Sequence, residues 1–294
     1  DETVVVNGCT INGKNGVAFK QVKAATVEGT TITALEYGIR FDGNTDNYGI
    51  VLKNNNVTAY QPLIVRKMTG ANNTITLEGE NTLTTDEIYQ IVITNGSDDA
   101  AYVTPSGTYT LTGADDFVVY PRENYGNKVS DGLYKNEVKY YVTNAAGLET
   151  MNQMFADKSA GRDVVLNLNR DIDFTGKTWT PVDSHADSKF EIAEINGNGH
   201  TISNLTINGQ AMFTRFAGSG DVVVKDITFD NATVNSNGNI NTSILTVQTY
   251  QNVLLDNVDV KNSSITGGYK VAPLIATVYN ENPSAAITAT IKNC

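Results

Sequence analysis

Two cysteines, Cys9 and Cys294, stand at opposite ends of the 294-residue chain, so neither a disulfide framework nor a thiolate metal site can be read from them. No run of eighteen or more apolar residues occurs, and without one no helix is expected to span a bilayer. Basic residues are outnumbered 21 to 32, and the resulting charge of -11 repels phosphate backbones and anionic lipids, so nucleic acid is not an expected partner. Helical apolar periodicity is almost missing as well. The first residues, Asp1-Glu2-Thr3, lead straight into strand-like sequence with no charged-then-apolar leader, a start expected of a trimmed mature chain. The 40% hydrophobic content suits a folded protein.

What the chain has is a beat. Short Val/Ile/Thr-rich runs end on an apolar residue, one variable residue, and then Gly, Asn or Asp. In the first half these are Val6-Asn7-Gly8, Val27-Glu28-Gly29, Leu52-Lys53-Asn54 and Leu77-Glu78-Gly79, spaced by 21, 25 and 25 residues, with Val103 expected to follow. A second strand keeps step at Ala18, Ile39, Ile64, Ile91 and Val118. The second half repeats the device at Ile202-Ser203-Asn204, Val224-Lys225-Asp226, Leu255-Asp256-Asn257 and Ile291-Lys292-Asn293. Gly, Asn and Asp are the residues that tolerate a left-handed backbone, so each third slot is expected to be a one-step corner. Coils with such corners stack their strands in parallel, which predicts an all-β chain folded as a right-handed parallel β-helix. Charge supports the alignment, since Glu28, Lys53, Glu78 and Lys225, Asp256, Lys292 alternate in sign where stacked rungs sit about 4.8 Å apart.

Between residues 120 and 143 the beat lapses and Tyr120, Tyr125, Tyr134, Tyr140 and Tyr141 crowd together. The expected organisation is a first stack over 1–120, a tyrosine-rich linker over 121–143 and a second stack over 144–294. One amphipathic helix is predicted over 147–158, with Leu148, Met151 and Phe155 on one face to cap the second stack. Aligning the second-half anchors places Leu205, Ile227, Val258 and Cys294 in one slot, so the chain stops as a strand begins, and a longer solenoid is expected.

Tyr140-Tyr141-Val142-Thr143-Asn144, Gly147-Leu148, Asp171-Ile172-Asp173-Phe174 and Trp179-Thr180-Pro181-Val182 precede the run Asn196-Gly197-Asn198-Gly199-His200-Thr201-Ile202-Ser203-Asn204-Leu205-Thr206-Ile207. This stretch resembles secreted and cell-surface β-helix proteins of gut bacteria, the group that includes GLUG-repeat proteins within the pectate-lyase-like β-helix superfamily. The resemblance implies a place at or beyond the bacterial surface and a stalk, adhesive or carbohydrate-binding role toward glycans or host and microbial surface proteins. It implies no reaction.

The enzyme reading is tested by its motifs. A β-helix polygalacturonase would carry Asn-Thr-Asp, Asp-Asp, Gly-His-Gly and Arg-Ile-Lys in order, placing carboxylates round one glycosidic bond. Only Asn44-Thr45-Asp46, Asp98-Asp99, Asp115-Asp116 and Gly199-His200-Thr201 are present. Asp171 and Asp173 could form a carboxylate pair or Ca²⁺ site, against a structural reading as a solvated edge. Asp226 and Asp256 are accounted for by corner and ladder, His185 and His200 by surface hydrogen bonding, and Trp179 by packing. Tyr125, Tyr134, Tyr140 and Tyr141 are the ligand-stacking candidates, with packing as the competing reading. No catalytic set, metal set or cofactor is expected. The function expected is a non-enzymatic extracellular solenoid, with its oligomeric state left open. The alternatives are a polysaccharide lyase or glycoside hydrolase with its residues in an insert such as 183–189, and a trimeric phage-fibre section.

Overall fold

The computed structural model describes residues 3–43, 48–67, 70–96, 102–185, 187, 189–236, 238, 240–280 and 286–294. The chain folds as a β-solenoid of about nine turns with one short helix. It divides into two compact units, residues 1–127 and 128–294.

In the first unit the turns build three parallel sheets of five, four and five strands, the first four turns supplying a strand to each. The first sheet stacks strands Thr3–Asn7, Ala24–Glu28, Gly49–Lys53, Asn73–Glu78 and Tyr109–Thr112. Its register runs Val6, Val27, Leu52, Leu77, so the first four anchors occupy one column. Val27, Leu52, Ile32, Val57, Ile39 and Leu63 fill the interior from the three sheets. The second sheet turns outward the exposed pairs Thr31/Thr33, Asn56/Thr58 and Thr82/Thr84 on either side of buried Ile32, Val57 and Leu83. That alternation is what one dry and one wet face require.

Two expected alignments in this unit do not hold. Val103 does not fill the fifth slot: it is 48% exposed and its backbone bonds Thr94 Oγ1, while Tyr109–Thr112 forms the rung. The second strand column is Val17, Ile39, Leu63, Ile91 and Val119, so Ala18, Ile64 and Val118 are each one residue off. The reason is that Ile64 and Val92 on the opposite face are as buried as Leu63 and Ile91, so alternation cannot choose the inward face. Tyr120 sits in register with Val92, and the Tyr89 and Tyr102 rings pack on Tyr120 at 5.5 and 5.2 Å, giving an outer aromatic cluster.

The segment expected as a linker carries strands from Asn127 onward. Val119–Tyr120 is the last rung of the first unit's third sheet. Strands Leu133–Asn136 and Lys139–Val142 form an antiparallel hairpin, and the latter pairs in parallel with Val164–Leu168. The boundary between the compact units falls at 127/128, so Tyr120 and Tyr125 lie in the first unit and Tyr134, Tyr140 and Tyr141 in the second.

The helix spans Ala145–Ala156, two residues earlier than expected. Asn144 caps it by accepting from Gly147 N–H at 2.9 Å. A Cβ on Gly147 would lie 2.1 Å from Gly132 O, so the helix start can approach the hairpin only as glycine. Leu148, Met151 and Phe155 are buried, and the Phe155 ring meets Phe190, Trp179 and Phe213 at 4.5 to 6.2 Å. This is the apolar face anticipated from the spacing, packed onto the first turns of the second core.

In the second unit the strands Ile192–Asn196, Val222–Asp230, Val253–Lys261 and Ala289–Lys292 stack in one sheet. Ile195, Val224, Leu255 and Ile291 share a column. Ile202 does not belong to it. Ile202-Ser203 pairs with Phe229-Asp230, which pairs with Val260-Lys261, forming a second corner column. Each turn here carries two apolar-X-Asn/Asp/Gly corners a few residues apart, and chemistry alone cannot tell one from the other. Leu205 consequently leaves the slot shared by Ile227 and Val258.

Candidate functional site

Corners come first, because they decide which side chains are free to bind. All eight expected corner residues have positive φ: Gly8, Gly29, Asn54, Gly79, Asn204, Asp226, Asn257 and Asn293 lie between 51° and 64°. In the second unit their side chains are engaged along the stack. Asn257 Nδ2 donates to Asp226 Oδ1 at 2.9 Å, Asn293 Nδ2 to Asp256 Oδ1 at 2.9 Å, and Asn262 Nδ2 to Asp230 Oδ1 at 2.8 Å. Asp256 also meets Lys292 at 3.0 Å, and the hydrogen bonds from Asn293 and Lys292, with the Lys292 and Lys225 charges, hold its carboxyl below the ordinary value. The charge ladders Glu28–Lys53–Glu78 and Lys225–Asp256–Lys292 are in register; Lys53 reaches Glu28 at 3.1 Å, and Lys225 reaches diagonally to Glu194 at 3.0 Å.

The acidic candidates are held the same way. Asp173 accepts from Asn204 Nδ2 at 2.8 Å, Thr175 Oγ1 at 2.6 Å and Thr175 N–H at 3.0 Å, and these bonds, that from Asn204 foremost, lower its pKa. Asp171 accepts from Thr201 N–H at 2.9 Å and lies 3.2 Å from His200 Nδ1. The two aspartates serve separate corners instead of sharing a site. Among the described residues no group of three or more His, Cys, Asp or Glu side chains could hold a metal ion. Asp115 is exposed beside Arg122 at 3.8 Å, whereas Asn44-Thr45-Asp46 and Asp98-Asp99 lie outside the described residues. Trp179 is buried with Nε1 donating to Met212 O at 2.9 Å, a packing role.

The tyrosine candidates separate into two groups. Tyr134 and Tyr140 are 0% exposed and Tyr140 Oη donates to Ala160 O at 3.0 Å, so neither offers a ring face to a ligand. For Tyr140 the reason is packing within the second core. Tyr141 is half-buried, paired across the hairpin with Tyr134. Tyr125 belongs to the first unit, where its N–H donates to Tyr89 Oη at 2.7 Å and its ring tilts on Tyr89.

A different surface collects polar and aromatic side chains. Strands Val182–His185, Phe213–Ala217, Thr246–Thr249 and Ile275–Val278 form a parallel sheet whose inner face buries Phe213, Phe216, Thr246 and Thr249. On its outer face Asp183, Arg215, Gln248 and Thr277 stand in register across four turns. A register shift after Val182 admits Thr214 as an extra residue and aligns Arg215 on Asp183. Arg215 Nε and Nη2 donate to the two Asp183 oxygens at 2.6 and 2.9 Å, and this pairing raises the guanidinium pKa further. Gln248 Oε1 accepts from Tyr250 Oη at 2.8 Å, and Tyr250 meets the half-exposed Tyr279 edge-to-face at 5.2 Å. Asn241 Nδ2 donates to Thr277 Oγ1 at 3.3 Å. Gln210, Thr214, Arg215, Asn241, Gln248 and Tyr250 line an open cleft of about 450 Å³ on this face. A second cavity of about 500 Å³ is apolar, lined by Val258, Val260, Leu274, Ile275 and Ile291 of the core columns.

The signal for this face was present but weak. Asp183, Arg215, Gln248 and Thr277 are 32, 33 and 29 residues apart, and Tyr250 and Tyr279 are 29 apart, close to the spacing of the corners. Extending the coil period to polar slots would have aligned them. No helix among the described residues is long and apolar enough to cross a membrane. No protein-family model, curated protein or solved structure matches the chain.

Proposed function

We propose that the protein is a non-enzymatic, carbohydrate-binding β-solenoid that works at or beyond the bacterial surface, and that the Arg215–Tyr250 face meets the glycan. The observation that carries this reading is the Tyr250–Tyr279 ring pair beside a cleft lined with amides, a hydroxyl and Arg215, which is held bidentately by Asp183. Tyrosine rings give an apolar face for a sugar's C–H surface and a polar tip for its hydroxyls, and a few placed polar groups orient it. Glycosidic hydrolysis needs two carboxyl groups flanking one bond. The residues that line the cleft among those described include no such pair, and the nearby Asp183 is clamped at both oxygens. An external location is supported by the likeness of residues 140–207 to surface β-helix proteins.

A glycan array run beside a panel of polysaccharides tests the reading. Binding to a subset of glycans is expected with no release of reducing or unsaturated ends, and Tyr250→Ala is expected to weaken it about tenfold. Product release would overturn the non-enzymatic role. Binding that survives Tyr250→Ala and Tyr279→Ala together, in folded protein, would overturn the assignment of the face.

A further inference from the structure

Resting on the glycan reading above, we infer that this face selects a neutral glycan, one whose sugars carry hydroxyls but no carboxylate or sulfate. The first ground is the state of the only cation lining the cleft among the described residues. Arg215 is held to Asp183 through both Nε and Nη2, so its charge is matched before any ligand arrives. Asp187 adds a negative charge near the same guanidinium, and the chain as a whole carries -11. Lys270, on the segment whose Tyr269 N–H bonds Ile240 O, stands over the Tyr269 ring at 5.8 Å. Among the described residues that line the cleft, the one positive charge is thus already paired, and an anionic sugar would lose hydration while facing a paired carboxylate.

The second ground is the donor and acceptor pattern. Gln210, Thr214, Asn241 and Gln248 are uncharged, and each can both donate and accept. Gln248 already accepts from Tyr250 Oη, which leaves its amide N–H groups as donors into the cleft wall. Sugar hydroxyls are themselves both donor and acceptor, so neighbouring hydroxyls match alternating acceptor and donor edges where a carboxylate, acceptor only, does not. Residues from two successive turns build the wall, about 4.8 Å apart, so the specificity is written across rungs and not within one strand.

The test titrates the full chain with pairs of oligosaccharides of identical linkage that differ only in a carboxylate at the exocyclic carbon, such as galactose and galacturonate series, using calorimetry at low and moderate salt. The neutral member is expected to bind at least about tenfold tighter. Asp183→Asn unpairs Arg215 and is expected to narrow or reverse that preference, with a gain for the uronate that shrinks as salt rises. The double variant Asp183→Asn/Arg215→Gln should lose the gain, and Trp179 fluorescence reports whether each variant keeps the second core folded. Tighter binding of the uronate by the unaltered chain would overturn the neutral-glycan inference while leaving carbohydrate binding intact. An unchanged preference in folded Asp183→Asn would overturn it as well. No binding of any carbohydrate would overturn both readings.

Discussion

The two units solve one geometric problem with different chemistry. Each must turn a strand through a left-handed corner on every coil. In the first unit most corner slots are glycine, and an inward ladder supports them: Thr30 N–H donates to Asn55 Oδ1 at 3.0 Å, Asn55 N–H to Asn81 Oδ1 at 3.0 Å, and Asn55 Nδ2 to Val27 O at 2.8 Å. Asn55 is buried, so these bonds satisfy backbone groups that water cannot reach. In the second unit the corners are Asn and Asp, and their side chains bond one another on the outside of the stack. The difference teaches that the same backbone turn is held from within in one unit and from outside in the other, and that substitution costs should follow burial.

The largest effect is therefore expected at Asn55. Asn55→Ala strands Thr30 N–H and Val27 O inside the corner and should destabilise by about 3 kcal/mol, read as a lower urea midpoint in far-UV circular dichroism. A midpoint equal to that of Asn257→Ala, on the exposed ladder, would break the comparison.

Next comes the Arg66–Asp42 pair, whose side chains are 12% and 11% exposed and meet at 2.7 and 3.1 Å. Burial pushes the Asp42 carboxyl up, but the Arg66 hydrogen bond and charge, with Arg40, more than offset this and hold it below the ordinary value. A depressed carboxylate stabilises the fold above its unfolded pKa, about 4, and that contribution disappears as pH falls through the folded value. Arg66→Ala should cost about 2–3 kcal/mol at neutral pH. Asp42→Asn should flatten the loss of stability below about pH 4, and an unchanged acid profile in that variant would contradict the pairing.

A smaller effect is expected at Gly79. Its φ of +64° and the Asn54 amide oxygen 2.1 Å from a built Cβ both oppose a side chain. Gly79→Val should cost about 2 kcal/mol and Asn257→Val about 1 kcal/mol, because asparagine already bears a Cβ at its corner. Smallest is Asp256→Lys, which sets like charge beside Lys225 and Lys292. The thermal midpoint should drop more at low salt than at high salt, and a salt-independent result would mean the three side chains are not stacked.

The corners and ladders were legible because both are local and periodic: a left-handed residue type recurs, and alternating charge pins register. Ile64 and Ile202 were misplaced for a different reason. Ile64 lies on a strand buried on both faces, and Ile202 precedes one of two chemically identical corners in its turn. Tyr134 and Tyr140 looked available because Tyr, Gly and Pro crowd the segment, yet both lie on hairpin strands and are buried. Arg215, Gln248, Tyr250 and Tyr279 stayed hidden because they lie on three different passes of the chain, Arg215 just after a bulge, and only stacking brings them together.

The most direct test sets the expected tyrosines against the observed ones. The chain contains 14 tyrosines. Incorporating fluorotyrosine, assigning its ¹⁹F signals by single Tyr→Phe substitutions, and titrating with a glycan that the array identifies would show which rings feel the ligand. Tyr250 and Tyr279 are expected to shift with the binding isotherm while Tyr125, Tyr134, Tyr140 and Tyr141 stay fixed. Shifts at Tyr125 or Tyr141 with Tyr250 and Tyr279 silent would contradict this expectation.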